Sequence, residues 1–198
     1  MTDKIILHLC ADMGTDSKPY QESHGYDVRL IGSDIGVENY HPPGDVYGII
    51  ANPVCTMLSW CRTNAKTPRD LKQGMFLVKE CLRIIWECQY NIGYKNAKLT
   101  PLNFWMIENP SRGFLYQFIG KPALVFQPYE YGDNYKKETA VWGNFNIPER
   151  TPIECTAPKF DRLASKDIHS EMFGKLTRTE RRSMCATGFA QAFFGANR

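Results

Sequence analysis

The sequence predicts an α/β domain: a mostly parallel sheet with an antiparallel pair of strands at one end and helices on both faces. Three observations predict it. Residues 26–31 read as a strand, and the apolar runs at residues 4–9, 46–51 and 103–107 read as strands buried within a parallel sheet. Between the last two runs, Leu71, Met75, Val78, Leu82 and Ile85 recur at spacings of three and four, the period of an amphipathic helix. Each run also stops at a small or polar corner.

The elements follow in order. The first strand, residues 4–9, runs into a loop that ends at Met13-Gly14-Thr15-Asp16. Residues 17–23 form a short helix with Pro19 in its first turn and Gly25 beyond its end. A second strand, 26–31, leads to Gly32-Ser33-Asp34. The turn His41-Pro42-Pro43-Gly44-Asp45 introduces the third strand, 46–51, which is central in the sheet and halts at Asn52-Pro53. The long helix occupies 68–91, with Arg69, Asp70, Lys72, Lys79 and Arg83 on its polar side.

The strand at 103–107 ends at Glu108-Asn109-Pro110. Residues 123–127 and 138–142, separated by the polar turn Gly132-Asp133-Asn134, suit an antiparallel pair. Residues 146–176 read as a loop-rich arm with Pro148, Pro152 and Pro158. Thr177 and Glu180 have capping-box spacing, so 177–198 forms a C-terminal helical segment with an apolar turn or two at 189–194.

Composition bounds the function. The chain has 198 residues, enough for one domain with a real core and too few for two, so residues 1–198 are read as a single unit. Hydrophobic residues make 43% and charged residues 23%, the balance of a globular protein. Charge interrupts every apolar run well short of the roughly 18 residues of a membrane span, and no signal-peptide core follows Met1. The expected location is therefore the cytoplasm. Seven cysteines without a C-x-x-C pair, in a chain with no export signal, point to reduced thiols rather than a disulfide framework or a zinc site. The net charge of +3 permits a phosphate partner without demanding one.

In a chain of this class, ligands lie beyond the carboxyl ends of the parallel strands. Four corners stand there: residues 10–14, Ser33-Asp34, Asn52-Pro53-Val54-Cys55 and Glu108-Asn109-Pro110. A thiol at the mouth of a buried strand is a candidate nucleophile, or else a packed structural cysteine. A carboxyl group following five apolar residues is poorly solvated and suited to act as an acid, or else it caps the next loop.

Taken together, two corners resemble the DNA cytosine-C5 methyltransferases. Asn52-Pro53-Val54-Cys55-Thr56-Met57-Leu58-Ser59 is similar to their Pro-Cys-x-x-x-Ser motif, and Ile107-Glu108-Asn109-Pro110 to their Glu-Asn-Val motif, in the family's order and approximate spacing. A closer resemblance is to the small phage and prophage proteins of this type, through Ser17-Lys18-Pro19-Tyr20, Glu108-Asn109-Pro110 with Gly113, and the run from Gln127-Pro128-Tyr129 to Trp142-Gly143. It also includes Glu180-Arg181-Arg182 and Gly188-Phe189-Ala190.

The resemblance implies a Rossmann-like class I methyltransferase sheet and a phage or prophage protein inside a bacterial cell. It also implies S-adenosylmethionine as cofactor, with Cys10, Asp12, Gly14, Asp34 and Asn52 as its candidate contacts. Cys55 would add to C6 of cytosine while Glu108 holds or protonates N3, on a base flipped from duplex or taken from a single strand. The partner implied is nucleic acid, DNA in the first place, with Arg62, Lys66, Arg69, Lys136 and Lys137 as candidate phosphate contacts.

The pattern departs from the family in three places. The first strand ends His8-Leu9-Cys10-Ala11-Asp12-Met13-Gly14 where the family has Asp-Leu-Phe-x-Gly-x-Gly, Val54 stands where proline precedes the cysteine, and the chain beyond Gly143 leaves little room for a target-recognition domain. The changes at Asp12 and Val54 keep a second expectation open: a catalytically degenerate phage binding protein on the same scaffold, engaging nucleic acid, a nucleotide or a host protein. A third, an amino-methyltransferase-like corner at Asn52-Pro53, fits Val54-Cys55 poorly.

Overall fold

The computed structural model describes residues 3–11, 13–62, 65–90, 101–156, 177, 180 and 183–198. Six strands form one sheet: β1 (Lys4–Leu9), β2 (Tyr26–Ile31), β3 (Val46–Ala51), β4 (Phe104–Pro110), β5 (Leu124–Phe126) and β6 (Thr139–Asn144). Their order is β2-β1-β3-β4-β6-β5. The first four strands run parallel, and β6 is antiparallel to both β4 and β5. This is a Rossmann-like α/β sheet with an antiparallel pair at one end, as the sequence predicts.

Among the described residues, α1 (Lys18–Gln21), α2 (Leu71–Tyr90), α3 (Leu115–Ile119) and α4 (Thr187–Ala196) are helices. Alternation along the strands divides the core between the two faces of the sheet. Leu7, Leu9, Ile49, Ala51 and Ile107 pack with Val78, Cys81, Ile84 and Ile85 of α2. Ile6, Ile50, Phe104 and Met106 pack with Tyr20 of α1 and Phe189 and Phe193 of α4.

The second face is built from aromatic side chains. Phe104 stacks on Tyr20 and meets Tyr47 and Phe193 edge-on, while Phe126 stacks on Phe189 at 4.1 Å between centroids. Phe104 fits because Gly48 faces it across the strand pair; a Cβ there would come within 2.3 Å of the ring. The end of α4 is fastened by Asn197, whose side chain exchanges hydrogen bonds with the backbone of Asn146 at 2.8 and 3.0 Å.

Several elements differ from the sequence reading. The fourth strand continues through Glu108, Asn109 and Pro110, because β6 extends past β3 and pairs with these residues in register. Glu108 is thus a strand residue and not a loop residue. The buried seam of α2 runs through Gly74, Val78, Cys81, Ile84 and Ile85, with Leu71, Met75 and Leu82 only partly buried beside it. Helix α3 and the short 3-10 turns Val37–Asn39 and Pro128–Tyr131 were not predicted, since one turn is too short to show a period. The capping box forms: the Thr177 N–H donates to Glu180 Oε2, and the Glu180 N–H to Thr177 Oγ1. Most of the predicted loop-rich arm, from residue 157 to 176, lies outside the described residues.

Candidate active site

Strand parity selects the residues of the site. Leu9, Ala51 and Ile107 lie side by side in register on three neighbouring parallel strands. Asn52 and Glu108 come next, and His8 precedes Leu9, so these three polar residues share the face of Ile6, Ile50 and Met106. All stand at the carboxyl ends of their strands, where an open α/β sheet places its ligands.

A continuous hydrogen-bonded network joins them. The His8 ring, 1% exposed, has Nδ1 2.8 Å from Ser17 Oγ and Nε2 2.7 Å from Asn52 Oδ1. The Asn52 carboxamide nitrogen donates to Asp16 Oδ1 and to Glu108 Oε2, each at 3.3 Å. Asp16 is buried and lies against the Cys185 thiol. The Lys137 ammonium donates to the Met184 carbonyl at 2.9 Å and faces Glu108 and Cys185. Residues 184–188 are held over this end of the sheet by the Cys185 N–H on Thr15 Oγ1 and the Gly188 N–H on Asp133 Oδ2.

Burial sets the protonation states. Desolvation lifts the Glu108 carboxyl above its ordinary value of 4.5; Lys137 opposes the rise, Asp16 adds to it, and the Asn52 N–H opposes it. Burial pushes His8 below its ordinary 6.5 against the pull of Asp16 and Asn52, so the ring is neutral. Burial and Asp16 both raise the Cys185 thiol, which stays protonated. The site thus contains a carboxyl group biased toward its acid form beside a neutral imidazole.

Stability should follow the histidine in a defined window. The unfolded chain binds a proton at His8 below pH 6.5 and the folded chain only at its lowered value, so stability falls as pH drops through that interval. His8→Gln removes the titration and is expected to flatten the fall of Tm below pH 6.5 in calorimetry. A slope unchanged from wild type would contradict the buried neutral ring.

The Cys55 loop lies beside this network. The Asn109 side chain donates to the Pro53 carbonyl at 2.9 Å, tying the loop after β3 to the end of β4. The Cys55 carbonyl accepts the N–H groups of Leu58 and Ser59, closing a tight turn with the half-buried cysteine at its start. The turn is then fastened from both sides. Ser59 bridges to Gly113, Phe114 N–H donates to the Leu58 carbonyl, and Arg69 donates to the carbonyls of Met57 and Ser59 while lying over the Phe114 ring. Gly113 permits this approach, since a Cβ would meet the Leu58 carbonyl oxygen at 2.9 Å.

The structure therefore brings Asn52 and Glu108 together and sets the Cys55 loop against them. Gly14 closes the loop after β1 with φ +63°, and a side chain there would crowd Leu30. Asp34 is exposed beyond β2. Cys10 has φ +56°, which turns its sulfur to the α2 face, 3.8 Å from Cys81. Asp12 lies outside the described residues. Of the basic candidates, Lys66 and Lys136 are exposed, Arg62 donates to Thr67 Oγ1, Arg69 holds the Cys55 turn and Lys137 faces inward. Sequence reasoning missed His8, Asp16 and Cys185. His8 carried a signal, a polar residue within an apolar strand run, whereas Asp16 and Cys185 had none.

The fold and site define an α/β protein with a polar centre at the carboxyl edge of a Rossmann-like sheet. No protein-family model matches the chain, and no curated protein does.

Proposed function

We propose that the protein is an S-adenosylmethionine-dependent methyltransferase of the class I type acting on C5 of cytosine in nucleic acid. The observation that carries this reading is the convergence of Glu108 and the Cys55 loop on one rim, through the Asn109–Pro53 hydrogen bond and the Asn52–Glu108 contact. Placement of the reversed strand β6 between β4 and β5 supports a methyltransferase-like sheet.

In this reading the Cys55 thiolate adds to C6 of an extruded cytosine, and the electron pair of the C5–C6 π bond moves toward C5. Glu108 donates its proton to N3 and stabilises the charge that develops on the ring. Burial lifts that carboxyl group above its ordinary value, with Lys137 opposing the rise and Asp16 adding to it. The cofactor supplies the methyl group when bound. The loop of Gly14 and the exposed Asp34 are the contacts this reading favours, since they lie beyond the ends of the adjacent parallel strands β1 and β2. Cys10 enters through its backbone at most, and the Asn52 side chain is engaged within the protein. Lys66 and Lys136 are the phosphate contacts this reading favours, with DNA as partner in a phage-infected or prophage-bearing cell.

The test is covalent trapping on an oligonucleotide carrying 5-fluorocytosine, with cofactor present. Wild type is expected to form a denaturation-resistant adduct and Cys55→Ser none. No adduct with wild type, together with no cofactor binding by calorimetry, overturns the reading. A binding protein on the same scaffold is favoured by one observation, the packing of Met184 and Cys185 on Lys137 and Thr15 beside Glu108. Nucleic-acid binding that survives Cys55→Ala and Glu108→Gln, without any adduct, selects it.

A further inference from the structure

We propose that His8 is a positioning residue: it anchors a one-way relay of hydrogen-bond donors from α1 through Asn52 to Glu108, which leaves Oε1 of Glu108 as the oxygen presented to a ligand.

The direction of the relay follows from counting donors. Gln21 Nε2 has two hydrogens, and both are placed, on the Gly14 carbonyl and on Ser17 Oγ, each at 2.9 Å. Ser17 Oγ thus accepts from Gln21 and has one proton to give. Its nearer acceptor is His8 Nδ1 at 2.8 Å, with the Gly14 carbonyl farther away at 3.4 Å. A neutral ring that accepts at Nδ1 has its hydrogen on Nε2, which then donates to Asn52 Oδ1 at 2.7 Å. With its oxygen fixed toward His8, the carboxamide turns both N–H groups toward Asp16 and Glu108. The flipped amide would set its N–H₂ against the Nε2–H, donor against donor, and the His8 link opposes that orientation.

The consequence falls on Glu108. Its Oε2 accepts from Asn52, so the proton of its acid form belongs on Oε1. A ligand meeting that oxygen is matched by an acceptor, such as an unprotonated ring nitrogen. This last role rests on the cytosine reading; the direction of the relay does not. The other groups facing Glu108 are Asp16 and Lys137, with Tyr135 and Cys185 from the segments packed above. None of them replaces the Asn52 N–H in the hydrogen bonds to Oε2.

Two measurements on the ligand-free protein test the relay. Long-range ¹⁵N NMR of His8 in wild type is expected to show the Nε2–H tautomer, and the Nδ1–H tautomer overturns the proposal. Carboxyl ¹³C NMR follows Glu108 in variants whose fold is verified by circular dichroism. In His8→Leu the carboxamide loses its anchor, and the Glu108 midpoint is expected to rise by roughly one pH unit, the worth of one hydrogen bond to a charged group. In His8→Gln, whose amide also donates, the midpoint should stay near wild type. An unmoved midpoint in His8→Leu overturns the relay, and if that variant does not fold the tautomer decides alone. Neither measurement needs substrate, so a protein that traps no cytosine can still pass, and one that traps it can still fail.

Discussion

If the proposed methyl transfer to cytosine is the reaction, Glu108→Gln is expected to slow it by about 10²- to 10⁴-fold, the usual worth of a positioned general acid, while leaving the folded protein at least as stable as wild type. The two halves of this result have one cause. Burial holds the carboxyl above 4.5, so the folded state resists the charge that the unfolded chain accepts readily. Between 4.5 and the raised value the folded chain binds more protons than the unfolded one, and stability falls as pH increases through that interval. Glutamine has no charge to form and can still accept from Asn52 through its amide oxygen. Its Tm should therefore match wild type below pH 4.5 and exceed it increasingly above. Single-turnover transfer and calorimetry across pH measure the two effects. A variant that loses stability above pH 4.5 would contradict the burial argument, and full activity would remove Glu108 from the chemistry.

The largest effect on stability is expected from Gly48→Ala. The added Cβ would lie 2.3, 2.4 and 2.8 Å from three atoms of the Phe104 ring, far inside contact distance. The ring has no room to retreat, since Tyr20, Tyr47 and Phe193 surround it. Overpacking of this kind costs about 3 kcal/mol, at the upper end of its usual range, which in a chain of this size lowers Tm by roughly 6–12 °C. Thermal unfolding at fixed pH measures it. Because Gly48 and Phe104 pair across β3 and β4, the strain also reaches the two strands that carry Asn52 and Glu108. Gly48→Ala/Phe104→Leu should recover part of the loss by shrinking the ring. No recovery would mean that the strand backbone, and not the ring, bears the strain.

The strands β1, β3 and β4 were legible because each is a short apolar run with a polar stop, and that pattern depends only on neighbours in the chain. The long helix was legible because its period repeats over five turns. Even so, its buried seam is rotated toward Gly74 and Cys81, where the Cys55 turn approaches closely enough that a Cβ at Gly74 would lie 2.8 Å from that of Met57. No periodicity announces such a contact, since it depends on what packs there.

The site divides in the same way. Cys55, Glu108 and Asn52 could be picked out because each stands at or near the end of an apolar run, where parallel strands place their ligands. Lys137 and Arg69 also drew notice, but as surface cations. The fold gives them other work: Arg69 clamps the cysteine turn and Lys137 faces the buried carboxyl.

The sequence by itself determined the class of the fold, the order of its elements and the corners worth inspecting, since these follow from local hydrophobic pattern and turn chemistry. Only the tertiary structure decided that His8, Asp16 and Cys185 join Asn52 and Glu108, residues up to 177 positions apart brought to one sheet edge. The physical reason is that a protonation state and a hydrogen-bond direction are set by burial and by partners across space, and linear order encodes neither.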